Sequence, residues 1–162
     1  MLVTQAGRFG GYGFYLLKGK PVFLYNFVDL QWTRWEGPAA LSPGGHTLEF
    51  DFKYDGLGLG TLAFNNVSGI GRSGTGVLKV DGKEVARQTL EHTVPLLMQW
   101  DENFDIGAET GTTVSNDYQV PFRFTGKLNK LTLIIERPKL TPEDERQLMN
   151  SASRAADGPD RR

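Results

Sequence analysis

An all-β fold of antiparallel strands is what this sequence predicts, and three observations carry it. Glycine is in excess, at 20 of 162 residues against a usual ~7%. It is also clustered, with five glycines from Gly7 to Gly19 and seven from Gly56 to Gly76. Glycine supplies positive φ at turns and weakens helix interiors, so this distribution suits short strands joined by turns. Second, His46 to Tyr54 alternates strictly. Leu48, Phe50, Phe52 and Tyr54 share one face, and Thr47, Glu49, Asp51 and Lys53 share the other, the pattern of a strand with one dry and one wet side. Third, Asp81-Gly82 separates Val77–Val80 from Glu84–Leu90, and Asp-Gly supplies the positive φ angles of a tight primed hairpin turn.

The elements follow in order. Tyr12 to Phe27 reads as a hairpin turning at Lys18-Gly19-Lys20-Pro21. Tyr12, Phe14 and Leu16 alternate with Tyr15 and Leu17, and Phe23, Tyr25 and Phe27 with Val22 and Leu24. Both faces are apolar, as in strands buried between two layers. Leu30 to Glu36 gives a third strand, with Trp32 and Trp35 on opposite faces because they lie three apart. Ser42-Pro43-Gly44-Gly45 forms a polar turn before the His46–Tyr54 strand, in which Phe50 and Phe52 are expected to be buried. A last long strand, Gly126 to Glu136, carries Leu128, Leu131, Leu133, Ile134 and Ile135.

Composition changes at Pro138, and no aromatic residue occurs after Phe124. Thr141-Pro142-Glu143-Asp144 has an N-cap Thr, a first-turn Pro and carboxylates at the positive end of a helix dipole. The expected division is a β-sandwich domain over 1–137, one short C-terminal helix over 138–156 and a disordered tail over 157–162.

Eighteen basic against 19 acidic residues leave a formal charge of −1, without the basic excess of a nucleic-acid binder. The absence of cysteine removes disulfides, thiolate metal sites and cysteine nucleophiles. No run approaches the ~20 apolar residues of a membrane span, and no apolar signal core follows Met1. The sequence thus reads as a soluble globular domain and leaves the compartment open.

Catalytic motifs are weak. Gly69-Ile70-Gly71-Arg72-Ser73-Gly74 fits the dinucleotide string but lacks the strand-then-helix context that would aim a helix N-terminus at a pyrophosphate. Gly71-Arg72-Ser73-Gly74-Thr75 misses a nucleophile elbow because Thr75 stands where the second glycine belongs. His46 and His92 are two histidines at strand edges, short of the three or four ligands of a zinc site. Asn66-Val67-Ser68 is a glycosylation sequon without a secretion signal. Aromatics, at 11%, fall mostly at alternating strand positions and read as core rather than as a sugar-stacking platform.

Trp100 to Tyr118 is richer. Asp101, Glu102, Asp105, Glu109 and Asp117 lie among Asn103, Asn116 and several threonines. Oxygen-rich loops can bind Ca²⁺, but an EF-hand register fails: Ile106 occupies the turn-glycine position and Thr112 the closing-Glu position. The alternatives are a loop whose polar side chains bond its own backbone, a carboxylate pair and a metal site. Trp100, Phe104, Ile106, Val114 and Tyr118 interrupt the polar residues, and apolar anchors ringed by hydrogen-bonding groups suit an interface. The expectation is that Phe104 and Ile106 anchor that interface, while Asp105 and Asp117 fix the loop through backbone hydrogen bonds.

Several segments resemble the C-terminal domain of bacterial arylsulfatases. They are Gly7-Arg8-Phe9-Gly10-Gly11-Tyr12-Gly13-Phe14-Tyr15 with Lys18-Gly19-Lys20-Pro21-Val22, then Leu41-Ser42-Pro43-Gly44 and Val80-Asp81-Gly82-Lys83. Phe104-Asp105-Ile106-Gly107 with Thr110-Gly111-Thr112 and Asp117-Tyr118 is the most family-specific piece, and Leu140-Thr141-Pro142-Glu143 matches the start of the family's terminal helix. The resemblance spans about Gln5 to Leu148 and implies a sandwich of the jelly-roll or concanavalin-like kind appended to a catalytic domain. In that family a formylglycine, made from a Cys/Ser-x-Pro-x-Arg motif, works with a divalent metal to hydrolyse sulfuric esters. This chain has no cysteine, and no serine stands two residues before any of its eight prolines. The resemblance therefore assigns no catalytic, cofactor-binding or metal residue here, and the divalent metal would belong to the absent catalytic domain.

Two functions follow as expectations: a non-catalytic domain that packs on a sulfatase catalytic domain or on its own copies, or a free-standing lectin-like carbohydrate-binding module. Neither involves nucleic acid or membrane, and the chain alone is not expected to be an active enzyme.

Overall fold

The computed structural model describes residues 1–55, 73–94, 103–136, 141–143, 145–146 and 149–150. Four strands run as a meander: β1 (Val3–Gly7), β2 (Gly10–Leu17), β3 (Lys20–Phe27) and β4 (Gln31–Glu36). A two-residue turn at Lys18-Gly19 (φ 50° and 80°) and a three-residue connection, Val28-Asp29-Leu30, with Val28 and Asp29 at φ 47° and 61°, join the later strands. Positive φ at both positions gives a twist that matches the paired strands. Three more strands, β5 (Leu48–Tyr54), β6 (Gly74–Val80) and β7 (Lys83–Leu90), form a second antiparallel sheet. Its expected turn is present, with Asp81 at φ 51° and Gly82 at 77°.

The short strand β8 (Phe104–Ile106) pairs with β1, completing a five-stranded sheet ordered β4-β3-β2-β1-β8. Strands β9 (Ala108–Glu109) and β10 (Phe122–Arg123) pair separately. The described chain is thus almost all β, as expected, and its two larger sheets face each other as a sandwich.

Between the sheets lie Val3, Phe14, Phe23, Trp35, Leu78 and Leu90. Phe23 stacks on Phe50 with ring centroids 3.4 Å apart, and the Trp35 Nε1–H donates to the Gly76 carbonyl at 2.8 Å. The outer face of the five-stranded sheet is buried too. Tyr15, Val22 and Leu24 pack there under Val114, with Tyr118 and Phe122 beside them. The doubly apolar pattern of β2 and β3 has this cause: each strand has a layer above and below it. Trp35 points inward, fully buried, and Trp32 outward.

Three expectations need correcting. Phe52 keeps 39% of its surface exposed and Phe50 is only half-buried. The Phe52 ring lies against the Gly74 backbone near the end of β5, where alternation persists but the facing layer thins. Residues 126–136 form no strand, and Leu133, Ile134 and Ile135 are exposed, Ile135 by 92%. Apolar side chains alone do not make a strand; a ladder partner is required, and among the described residues only Leu131 of this run packs against the core. Finally, the pattern reading omits β1, because Val-Thr-Gln-Ala-Gly has no period-two alternation.

Residues 142–143, 145–146 and 149–150 are helical, and the Glu145 amide donates to the Thr141 carbonyl at 3.0 Å. The sequon at Asn66, most of the Gly69–Gly74 string, Trp100 to Glu102, Leu148 and the tail lie outside the described residues.

Candidate functional site

The segment expected to be a long loop instead contains β8 and β9. Register places Phe104 opposite Gln5 and Ile106 opposite Val3, so both point to the inter-sheet side on which Val3 is buried. They remain 39% and 53% exposed, because β8 is the outermost described strand of its sheet. Asp105, opposite Thr4, points to the other side.

Asp117 closes the segment over the outer face. Its carboxylate accepts the Tyr15 hydroxyl at 2.6 Å and a guanidinium N–H of Arg34, while the Ser115 hydroxyl accepts from the Asp117 amide at 3.1 Å. Its partners are side chains of β2 and β4 rather than the backbone amides expected from sequence. Burial opposes ionisation of Asp117, but the bonds from Tyr15 and Arg34 prevail and hold its pKa below the ordinary value. Tyr15 is pushed above its ordinary value, first by burial and then by Asp117. Fully buried Glu109 accepts from the Val114 amide at 3.1 Å. Tyr118 is likewise pushed up, by burial first and then by Glu109.

Sequence reasoning missed a third feature. Asn26, 1% exposed, donates through its amide to the carbonyls of Gly7 and Arg8, both at 3.1 Å, and accepts from the Asp29 amide at 2.9 Å. One buried side chain thereby ties the β1–β2 turn to the β3–β4 turn. The Arg8 amide in turn donates to Thr112 Oγ1 at 2.9 Å. Together these bonds frame a groove of about 410 Å³ lined by Arg8, Asn26, Asp29, Trp32, Thr113 and Asn116 among others. It continues across Trp32 into a depression of about 250 Å³ beside Arg34 and Asp117. The available signal was Trp32 itself, the outward member of the opposed tryptophan pair.

One cluster imitates a hydrolytic triad. His46 Nδ1 lies 2.8 Å from Asp81 Oδ2, and Nε2 lies 3.3 Å from Ser42 Oγ. Nε2 is closer to the Ser42 carbonyl, at 2.9 Å, and a carbonyl only accepts. An imidazole donating at both nitrogens has no lone pair for a serine proton. Asp81 first, then the Ser42 carbonyl, raise the His46 pKa, as befits a clamp and not a general base. Among the described residues no group of three His, Cys, Asp or Glu side chains could hold a metal ion. No helix among them is long and apolar enough to cross a membrane.

Comparison with family models, curated proteins and solved structures returned no match.

Proposed function

We propose that this chain is a non-catalytic domain of the arylsulfatase C-terminal type that packs on a sulfatase catalytic domain through the β8 edge of its larger sheet. The observation that carries the reading is the exposure of Phe104 and Ile106 together on the inter-sheet side of an outermost strand. Native sheets usually shorten, charge or cover such edges, and contiguous exposed apolar surface marks interaction sites. Leu133, Ile134 and Ile135 add further exposed apolar surface. The chemistry of sulfuric ester hydrolysis, with its formylglycine and divalent metal, would reside in the partner.

The test is co-purification with a sulfatase catalytic domain expressed in trans, with affinity measured by calorimetry. Phe104→Ala should weaken the complex at least about tenfold, which is about 1.4 kcal/mol, and leave the thermal midpoint nearly unchanged. The pure chain should not turn over a chromogenic aryl sulfate. Failure of the unmutated chain to form the complex overturns the docking role. Self-association at micromolar concentration that is lost in Phe104→Ala would assign the edge to a second copy instead.

A further inference from the structure

The groove over Trp32 is independent of the docking edge. Strands β4 and β8 are the opposite ends of the five-stranded sheet, and Trp32 lies on the outer face whereas Phe104 and Ile106 lie on the inner. Three properties of the groove stand out. Trp32 presents an indole that is 39% exposed, set at an edge where no layer of the described residues covers it. Around it, the Asn116 amide, the Thr113 hydroxyl and the Trp32 indole N–H have no hydrogen-bond partner among the described residues. The walls are held from below, since Asn26 and Thr112 lock three chain segments together.

Charge narrows the ligand class. Arg8 pairs with Asp29 at 3.1 Å, and Arg34 pairs with Glu36 at 2.8 Å and with Asp117. Glu36 also pairs with Lys20 at 3.2 Å, so three cations meet three carboxylates and the groove offers no surplus positive charge to a sulfate or phosphate. A duplex or single-stranded nucleic acid is excluded on the same ground. A proline-rich peptide docks on grooves lined by several aromatics, and here the described residues supply one. What fits a single exposed aromatic plane ringed by both donors and acceptors is a ligand with an apolar flat face and hydroxyls at its rim. Hydroxyls donate and accept at once, so they match a rim that mixes guanidinium, amide, hydroxyl and carboxylate groups.

We propose that this groove binds a neutral saccharide, with one pyranose ring stacked on Trp32 and its hydroxyls bonded by Asn116, Thr113 and the Arg8–Asp29 pair. Trp32 supplies the contact area, and Asn116 orients the ring. The buried Asn26 bonds hold the walls in place before the ligand arrives, which reduces the ordering cost of binding. Val28, a β-branched residue held at φ 47°, adds to this picture: such strain persists only where its surroundings over-determine it.

The experiment titrates the purified chain with neutral hexasaccharides of β-1,4-glucan, β-1,3-glucan, β-1,4-mannan and β-1,4-xylan, and with dextran sulfate. The readout is the indole N–H resonances of the three tryptophans, with Trp32 assigned from Trp32→Phe. At least one neutral hexasaccharide should shift the Trp32 resonance. Trp32→Ala should then lose at least about tenfold in affinity, with Asn116→Ala weakening binding as well. Asn116 is exposed and its side chain has no hydrogen-bond partner among the described residues, so this second variant decides the matter if Trp32→Ala loses stability. Phe104→Ala should bind saccharide like the unmutated chain, which separates this site from the docking edge. The proposal is overturned if no neutral hexasaccharide perturbs Trp32 at millimolar concentration, if only dextran sulfate does so, or if Trp32→Ala binds undiminished.

Discussion

Both faces of the five-stranded sheet are covered over β2 and β3, yet they are built differently. The inner face is aromatic: Phe14, Phe23, Trp35 and Phe50 meet ring to ring, and its polar link is the bond from Trp35 to Gly76. The outer face is laced with polar groups. Tyr15 bonds Ser115 and Asp117, Arg34 bonds Asp117, and Glu109 bonds the Val114 amide. Each face needs a glycine for close approach. A Cβ on Gly76 would meet the rings of Phe50 and Trp35 at 2.6 Å, and one on Gly13 would meet Val114 at 2.7 Å. The difference is one of mechanism. Apolar area is non-directional and stabilises the sandwich as a whole, whereas hydrogen bonds are directional and fix where residues 109–118 lie. The groove occurs on the hydrogen-bonded side.

The sharpest test of this contrast is Trp35→Ala. It removes a fully buried indole and the donor to Gly76, and should destabilise by about 3–5 kcal/mol in urea unfolding. Tyr15→Phe keeps the ring and deletes only the hydroxyl, so a loss of about 1–2 kcal/mol is expected. An equal loss at both positions would break the distinction between the faces.

Tyr15→Phe also carries a pH signature. Asp117 has a lowered pKa in the fold, so its bonds stabilise above the unfolded value of about 3.9 and are lost as pH falls through the folded value. The unmutated chain should therefore lose stability in that acid window, and Tyr15→Phe should lose less there, having lost more already at neutral pH.

Phe52→Ala probes the thin rim of the inner face and should cost about 1 kcal/mol, well below Trp35→Ala. The smallest effect belongs to neither face. The raised pKa of His46 means its clamp is fully present below the ordinary value of about 6.5 and weakens as pH rises through the folded one. His46→Ala should abolish that shallow slope in thermal midpoint against pH.

Several elements were legible from residue order alone. The Asp81-Gly82 and Lys18-Gly19 turns were, because their backbone angles are demanded locally. The opposition of Trp32 and Trp35 followed from spacing, and the two-layer burial of β2 and β3 from apolar residues at both parities. The candidate site was legible only in part. Phe104 and Ile106 stood out as apolar residues within a polar run, but their shared face depends on pairing with β1, which has no periodic signal. Asn26 looked like an ordinary strand residue, and its three bonds reach two turns brought together by the meander.

What the sequence determined by itself was therefore local: strand class, turn positions, and which side chains alternate. Tertiary structure decided the rest: that Phe52 lies at a rim, that residues 126–136 have no ladder partner among the described residues, and that Arg8, Trp32 and Asn116 line one groove. The physical reason is range. A turn's φ angles and a strand's alternation are set by neighbours along the chain, whereas burial, pairing and a binding groove depend on residues as much as 104 positions apart, like Arg8 and Thr112, that meet only once the sheets have formed.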